Sequence, residues 1–299
     1  MRVEDLRYFE HLAEALSYTR ASKDLAISQP TLSLAIKRLE EEWGVQLFER
    51  SRSRVALTPV GQDMLGCVAG ALRYLDRAST FAAESLGVEN SAINLGTIHA
   101  MQGKFWSQAL IEFRRKSSFD PQITVTQAYS RELLRRLRAG QLDVAFASRL
   151  DDTSDLNYNL CWSQSLVLGV NRNNPLAKRH DISLDELAGH SVFSYQPDSP
   201  VTKGIRALLR GHDVDVEYAY VDEIMLSSLV AADENRLALF CYSLMINAFD
   251  DVVCVPIRDA PVDFHKTYVV SRKEARRPRV LQELIEFMSS YRFPRLLDL

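Results

Sequence analysis

A short run of polar and basic residues near the N-terminus carries the side chains that a helix needs to contact nucleic acid. Its apolar residues recur at helical spacing and would form a buried stripe: Leu32, Ala35, Ile36 and Leu39. The other face carries side chains able to bond bases or phosphates: Gln29, Thr31, Ser33, Lys37 and Arg38. The run therefore predicts a helix with one face in a core and the other suited to a major groove.

The residues before this helix predict a tight corner between two helices. Ser28 can cap the second helix, and Pro30 suits its first turn because a missing N–H costs nothing there. The spacing predicts the preceding helix over Thr19 to Leu25, with Thr19 as its cap and Ala26 and Ile27 at the corner. A first helix is expected from Leu6 to Leu16. The alternative for this stretch is an ordinary amphipathic helix pair with no nucleic-acid role.

The segment after the helix favours the nucleic-acid interpretation. Gly44 can end the helix, and Val45 to Arg54 alternates apolar and basic residues around Leu47 and Phe48. This pattern indicates a short hairpin whose arginines bind DNA phosphates or enter a minor groove. The expected DNA-binding residues are Arg20, Ser28, Gln29, Pro30, Thr31, Ser33, Lys37, Arg38, Arg50, Arg52 and Arg54.

The whole segment from Leu6 to Gly61 resembles the winged helix-turn-helix of LysR-type transcriptional regulators. The matching residues are LRYFEHLAEALSYTRASKDLAISQPTLSLAIKRLEEEWGVQLFERSRSRVALTPVG. The resemblance implies binding to double-stranded DNA at an interrupted palindrome, and it leaves RNA polymerase open as a further partner. Leu34 and Ala35 stand where many relatives have longer polar residues, so specificity would lean on DNA shape.

A long helix is expected after the hairpin. Thr58 and Pro59 are a cap and a first-turn proline, and the helix should continue to about Leu86. Steps of four and three along it make a heptad seam: Met64, Val68, Ala71, Leu75, Ala78 and Ala82. The seam either pairs with the same helix of a second copy or packs on the C-terminal domain. The family resemblance implies pairing, in a homodimer or homotetramer.

From Ala92 onward short apolar runs alternate with helical patterns, which predicts an α/β domain. Four segments resemble the LysR-type effector domain, which is similar to type II periplasmic substrate-binding proteins: INLGTI, FDPQITVTQ, SRELLRRLRAGQLDVAFAS and NNPLAKRHDISLDELAGHSVF. The predicted fold is thus α/β with an all-α, winged N-terminal domain. The expected parts are residues 1–58, a linker at 59–90, and an effector domain at 91–299. Within that domain, subdomain I would comprise about 91–162 and 267–299, and subdomain II about 163–266.

A small-molecule effector is expected between the two subdomains, because ligands of open α/β sheets bind at the carboxyl ends of strands. The candidate residues at these ends are His99, Ala100, Met101, Gln102, Ser130, Ser148, Arg149, Ser194, Gln196, Thr202 and Asp222. Arg149 is the only cation among them, which favours a carboxylate, whereas Asp222 would oppose an anion. Ser130 and Thr202 could instead be plain helix caps, Arg149 a solvated side chain, and His99 a surface histidine. Ala100 replaces the hydroxyl usual in the family, which weakens analogy with any particular effector.

The composition restricts the remaining function classes. The chain has 299 residues with a net charge of -3, so any basic DNA-binding face must be local. Its four cysteines have no C-x-x-C spacing, and no apolar leader opens the chain, which indicates a reduced, cytoplasmic protein. The six histidines are scattered, and neither G-x-S-x-G nor G-x-G-x-x-G occurs, so we expect no metal, no cofactor and no enzyme activity. The alternative class is a solute-binding protein, against which the DNA-binding head argues.

Overall fold

The computed structural model describes residues 1–50, 55–85, 92–101, 103–151, 154–273 and 277–293. The chain divides into two compact units, one formed by residues 1–90 with 135–142 and the other by residues 91–134 with 143–299. Within the described residues, no helix combines the length and apolar character required to cross a bilayer.

The N-terminal unit consists of three helices, a hairpin and a long fourth helix. The bounds are α1 (Val3–Ala15), α2 (Tyr18–Asp24), α3 (Gln29–Trp43), β1 (Phe48–Arg50), β2 (Val55–Leu57) and α4 (Pro59–Ser85). Phe9 of α1 is fully buried and meets the ring of Phe48 edge-on, with centroids 5.7 Å apart. The apolar stripe predicted for α3 is buried in the same core. Because α3 buries one face in this core, its opposite face is exposed to solvent.

Local capping explains where α2 and α3 begin and end. The prediction for α3 was correct: the Ser28 hydroxyl accepts a hydrogen bond from the Thr31 N–H at 3.2 Å, and Gly44 ends the helix with a φ of 69°. The cap predicted for α2 was wrong by two residues. Ser17, not Thr19, is its cap, because Ser17 is extended and its hydroxyl accepts from the Arg20 N–H at 3.3 Å.

Helix α4 is covered by its own unit along part of its length. The N–H of Gly61 donates to the Thr58 hydroxyl at 2.9 Å, which confirms the predicted cap. Val68 is buried in the core of the first three helices, and Met64 packs against that core. The expectation that the whole seam lacks cover within this unit is therefore wrong for its first two positions. The remaining positions stay exposed: Ala71, Leu75, Ala78 and Ala82.

The second unit contains two five-stranded mixed sheets. Sheet I has the order β4-β3-β5-β12-β6, with β3 (Ala92–Thr97), β4 (Gln122–Gln127), β5 (Val144–Ser148), β6 (Leu156–Gln164) and β12 (His265–Arg272). Sheet II has the order β11-β7-β10-β8-β9, with β7 (Leu166–Asn171), β8 (Ser191–Tyr195), β9 (Asp215–Tyr220), β10 (Leu237–Cys241) and β11 (Val252–Pro256). The α-helices are α5 (Lys104–Lys116), α6 (Ser130–Arg138), α7 (Pro200–Leu208), α8 (Glu223–Ala232) and α9 (Arg279–Ser290).

The chain passes between the sheets twice. Strand β6 ends at Gln164 and β7 begins at Leu166, so the first crossing between the sheets lies at Ser165. The chain returns with β12, which starts at His265 and pairs antiparallel with both β5 and β6. Strand β12 thus completes sheet I more than a hundred residues after β6. In each sheet the parallel strands share one edge at their carboxyl ends, and those edges define the candidate effector cleft.

Candidate DNA-binding and effector sites

The exposed face of α3 carries most of the residues predicted to enter a DNA groove. Five of them are exposed: Gln29, Pro30, Thr31, Ser33 and Lys37. Leu34 lies among them with 55% of its surface exposed, and it was not among the predicted contacts. An exposed leucine on a polar helix face can contact the methyl group of thymine, which a hydrogen-bonding pattern cannot reveal.

Ser28 and Thr31 are joined at the start of α3. Their hydroxyl oxygens lie 2.7 Å apart, and the same Ser28 oxygen accepts the Thr31 N–H. Both side chains are exposed, so they can meet a DNA strand while they fix the first turn of the helix. The N-terminus of such a helix presents free N–H groups that favour phosphate.

Arg38 differs from the rest of the predicted set because it is already bonded within the head. Its guanidinium donates two hydrogen bonds to the carboxylate of Asp5, Nε to Oδ2 at 3.2 Å and Nη2 to Oδ1 at 2.5 Å. Asp5 is only 3% exposed, so the pair joins α1 to α3. Two parallel bonds between a guanidinium and a buried carboxylate fix the arginine's position, so Arg38 has a structural role, and its predicted contact with DNA stays a prediction.

Arg20 on α2 remains available for DNA. Its side chain is 75% exposed, and its Nε atom lies 3.8 Å from an oxygen of Asp24 one turn later. The same oxygen of Asp24 lies 3.6 Å from the Nε2 atom of His11. An exposed pair at this distance contributes little to stability, so Arg20 can exchange Asp24 for a phosphate.

A buried glutamate of α3 anchors the hairpin. Glu40 is 5% exposed, and its Oε1 atom accepts hydrogen bonds from the N–H groups of Leu47 at 2.8 Å and Phe48 at 3.4 Å. The carboxylate therefore positions β1 against the end of α3. The side chain of Arg50 and all of Arg52 and Arg54 lie outside the described residues, so their predicted contacts with DNA stay a prediction.

In sheet I, the predicted residues at the end of β5 are bonded to one another in the interior. The N–H of Ser148 donates to the Ser130 hydroxyl at 3.0 Å, and the Ser148 hydroxyl lies 2.9 Å from Nε2 of His265. Burial lowers the pKa of His265 to about 4, so the imidazole is neutral at pH 7. Ser130 and Ser148 are each about 5% exposed, which makes them supports of the strand end rather than open donors.

In sheet II, two predicted effector residues are fully buried and already bonded, and their contact with an effector stays a prediction. The Ser194 hydroxyl donates to the carbonyl of Leu239 at 2.8 Å. The Thr202 hydroxyl donates to the carbonyl of Gln196 at 2.8 Å, and the cap of α7 is Ser199, not Thr202. Both hydroxyls hold backbone segments together. Gln196 itself is half-buried, and its N–H donates to the Tyr220 carbonyl at 2.7 Å.

The remaining predicted residues lie around the strand ends with mixed exposure. His99 is exposed and its ring packs near Tyr129 with centroids 5.7 Å apart, whereas Met101 is buried and Ala100 half-buried. Arg149 is exposed, and its guanidinium lies 5.5 Å from the centre of the Tyr158 ring. Gln102 lies outside the described residues.

The acidic character of this region was underestimated from the sequence. Asp222 caps α8 by accepting the Met225 N–H at 2.9 Å, and Glu223 follows it at 8% exposure. Burial raises the pKa of Glu223 above its ordinary value. Burial and then the charges of Asp222 and Glu223 also raise the pKa of Tyr129, so the tyrosine lies within electrostatic reach of both carboxyls. The consecutive acids at the end of β9 were the available signal for an acidic wall.

One cation in this region is already paired. The Nζ atom of Lys203 on α7 lies 2.8 Å from an Asp151 oxygen, and both side chains are highly exposed. Among the described residues, no group of three or more histidine, cysteine, aspartate or glutamate side chains is arranged to hold a metal ion.

Comparison with known families identifies the two parts of the chain. Residues 3–62 match the model described as a bacterial regulatory helix-turn-helix protein of the lysR family, and residues 87–292 match the LysR substrate binding domain. The chain belongs to the LysR family. Its two family matches agree with the head and the two-sheet effector domain described above.

Individual relatives are distant. The chain is 30% identical over 191 residues to the uncharacterized HTH-type transcriptional regulator YybE of Bacillus subtilis (strain 168), covering 63% of this chain and 64% of that protein. The alignments with the first curated relatives thus span about two thirds of those proteins or slightly less.

Two solved structures of LysR-type proteins have the same fold. Full-length CbnR complexed with its target DNA has a TM-score of 0.74 and 19% identity, covering 96% of this chain and 99% of that chain. The effector binding domain of QuiR in complex with shikimate has a TM-score of 0.60 and 19% identity, covering 67% of this chain and 96% of that chain. At these identities the likeness concerns the fold alone.

Proposed function

We propose that the protein is a DNA-binding transcriptional regulator whose affinity for its operator responds to a small molecule. The observation that carries the proposal is the exposed face of α3, which presents Gln29, Thr31, Ser33 and Lys37 beside a hairpin fixed by Glu40. A rigid helix with short polar side chains is the arrangement that reads a major groove. The CbnR complex with DNA supports the same use of this fold.

The test separates base contacts from phosphate contacts. An operator is first selected from a random duplex library with the full-length protein, and affinities for it and for random DNA are then measured at several salt concentrations. Arg52→Ala should weaken binding to both and lower the salt slope by about 1, since a phosphate contact is lost. Thr31→Val should lower the affinity mainly for the selected operator and much less for random DNA. Equal effects of Thr31→Val on both DNAs would contradict the groove assignment.

We further propose that two copies pair through the exposed side of α4, in a homodimer or as part of a homotetramer. Ala71, Leu75, Ala78 and Ala82 are exposed, whereas Val68 and Leu72 of the same helix are buried in the core of the head. An interrupted palindrome requires two heads related by a two-fold axis, which a paired α4 would supply. The regulator would act on DNA in the cytoplasm, where RNA polymerase is a further partner.

The charges around the cleft argue against the carboxylate effector suggested by Arg149. Asp222 and Glu223 place two carboxyl groups at the start of α8, and the His265 imidazole is neutral at pH 7. An anion bound at this strand end would meet the repulsion of the Asp222 carboxylate, and no candidate residue there supplies a buried cation to offset it. We therefore propose an effector that offers an amine or several hydroxyl groups. The QuiR complex with shikimate supports a small-molecule effector at this part of the fold.

Thermal unfolding across a metabolite panel tests the effector class. A ligand at about a hundred times its dissociation constant stabilises the protein by roughly 2.7 kcal/mol. The rise in melting temperature given by an amine or polyol should disappear in Glu223→Gln and persist in Arg149→Ala. If instead a carboxylate raises the melting temperature and this rise disappears only in Arg149→Ala, the carboxylate effector suggested by Arg149 would be the correct class.

A further inference from the structure

A cavity of about 390 Å³ lies in the effector unit beside the two crossings between the sheets. Its wall includes Trp162 and Gln164 of β6, Tyr242 after β10, Val262 before β12, and Tyr291 and Arg292 after α9. None of the residues assigned to the effector cleft lines it. Its volume lies within the range of about 300–1,000 Å³ that is usual for small-molecule sites.

The cavity wall is tied to the crossings by hydrogen bonds. The Ser165 hydroxyl donates to the Val262 carbonyl at 2.7 Å, and the Tyr242 N–H donates to the Ser165 carbonyl at 2.9 Å. The Gln164 side chain, 4% exposed, donates to the Tyr242 carbonyl at 2.9 Å. A change in the angle between the sheets would therefore change the shape of this cavity.

The lining combines four aromatic side chains with polar groups, and its one arginine is Arg292. Trp162 is 8% exposed, and the ring of Tyr291 is held by Phe287 at 5.4 Å and Phe293 at 4.8 Å between centroids. Arg292 is exposed and makes no ion pair with any residue that the structure describes. The acid in the wall, Asp263, is held by the Lys266 ammonium at 2.7 Å.

Apolar side chains at the cavity rim remain in contact with solvent. Val262 is 61% exposed and Leu160 is 51% exposed, although both are large and apolar. Exposed aliphatic groups at the mouth of an aromatic cavity gain hydrophobic contact when a flat ring enters. The guanidinium of Arg292 matches the planar geometry of a carboxylate.

We propose that this cavity is a second ligand site, which binds a small planar aromatic molecule carrying one carboxylate. The ring contacts the aromatic wall around Trp162 and Tyr291, and the carboxylate pairs with Arg292. The site is separate from the effector cleft, so it stands whether or not the effector proposed above is correct. Because its wall is bonded to both crossings, occupancy biases the angle between the sheets and hence the response to the effector.

The experiment titrates the full-length protein with 1-naphthoate and with the uncharged 1-naphthamide by isothermal calorimetry. Naphthoate should bind saturably, and naphthamide should bind at least about tenfold more weakly. Arg292→Gln should weaken naphthoate binding about tenfold or more, and Arg292→Lys should retain most of it, since a tenfold change corresponds to 1.4 kcal/mol. Arg292 is exposed, so both variants are expected to fold normally.

A matched variant separates the Arg292 contact from a general loss of positive charge. Arg210→Gln removes an exposed arginine that does not line the cavity, so it should leave naphthoate affinity unchanged. Absence of saturable binding, equal affinity of wild type and Arg292→Gln, or a loss of binding in Arg210→Gln would each overturn the proposal.

Discussion

The Arg38 guanidinium donates two hydrogen bonds to the nearly buried carboxylate of Asp5 across the interface of α1 and α3. The two residues are 33 positions apart in the chain. Neighbouring Lys37 has a 60% exposed side chain, and its ammonium lies 3.4 Å from Glu41 on the solvent side of the same helix. Two adjacent basic residues on one helix thus have different tasks. Arg38 joins α1 to α3, whereas Lys37, whose pair with Glu41 is exposed and weak, can exchange it for a phosphate.

This difference predicts opposite effects of two alanine substitutions. Arg38→Ala should lower the melting temperature by several degrees, because it leaves the Asp5 carboxylate buried without its partner. Lys37→Ala should leave the melting temperature nearly unchanged and reduce the salt dependence of DNA binding. Calorimetry and anisotropy titrations on both variants check this. Equal melting temperatures for the two would contradict the structural role of Arg38.

Glu40 predicts a stability loss at the hairpin. Glu40→Ala should destabilise the head by about 1–3 kcal/mol, because two buried N–H groups lose their acceptor. Glu40→Gln keeps an acceptor oxygen and should cost less. Urea unfolding measures the difference, with Glu41→Ala as the control because the Glu41 side chain is 63% exposed. A Glu41→Ala protein as unstable as Glu40→Ala would show that the hairpin contact is not the cause.

The exposed side of α4 predicts a change in oligomeric state. Leu75→Glu places a charge at the centre of the proposed pairing surface and should shift the protein from dimer or tetramer toward monomer in sedimentation velocity runs. Gln62→Glu adds the same charge to an exposed position on the opposite side of α4. Its assembly should match wild type. Unchanged assembly of Leu75→Glu would place the interface elsewhere.

The neutral His265 predicts a pH-dependent stability. Its folded pKa of about 4 lies below the ordinary value of 6.5, so the unfolded chain binds the proton more readily between these pH values. Its contribution is therefore fully present above pH 6.5 and is lost as the pH falls through 4, by about 3.4 kcal/mol in all. Urea unfolding from pH 7 to 4.5 should show a steeper decline for wild type than for His265→Gln. Parallel curves would contradict a buried neutral imidazole.

The cysteines predict selective alkylation. Burial raises the pKa of Cys161 and of Cys254 to about 12, and that of Cys241 is also raised by burial. At pH 8 about one such thiol in ten thousand is ionised, so these three should react very slowly. Cys67 is exposed on α4 and should react first. Mass spectrometry after brief iodoacetamide treatment should find one label on the native protein, and prompt labelling of Cys161 would disagree with its burial.

The parts of the fold that depend on local signals could be predicted from the sequence. Ser28, Pro30 and Gly44 act within one turn of α3, so their types and spacing were sufficient to place that helix. The alternation of short apolar runs with helical patterns was likewise sufficient to predict an α/β domain. Strand β6 is harder to recognise because it lies at a sheet edge with polar residues along it, and its partner in the sheet, β12, comes about a hundred residues later.

The candidate sites were harder to predict because each buried polar group is defined by a distant partner. Thr202 and Ser194 have the residue types of ligand contacts. Their hydroxyls, however, already donate hydrogen bonds to the carbonyl oxygens of Gln196 and Leu239, respectively. Arg38 has the type of a DNA contact, and only the fold brings Asp5 to it. The pattern identifies groups that can form hydrogen bonds, whereas the tertiary structure decides which groups are already bonded.

The late arrival of β12 has a consequence for how the chain folds as it leaves the ribosome. Sheet II is encoded without interruption between Leu166 and Pro256, so it can assemble before synthesis ends. Sheet I must wait for β12, because that strand lies between β5 and β6 and joins them. During this interval the earlier strands of sheet I carry open edges that can pair with other chains. Nascent polypeptides that stall before His265 should therefore be the form most dependent on chaperones.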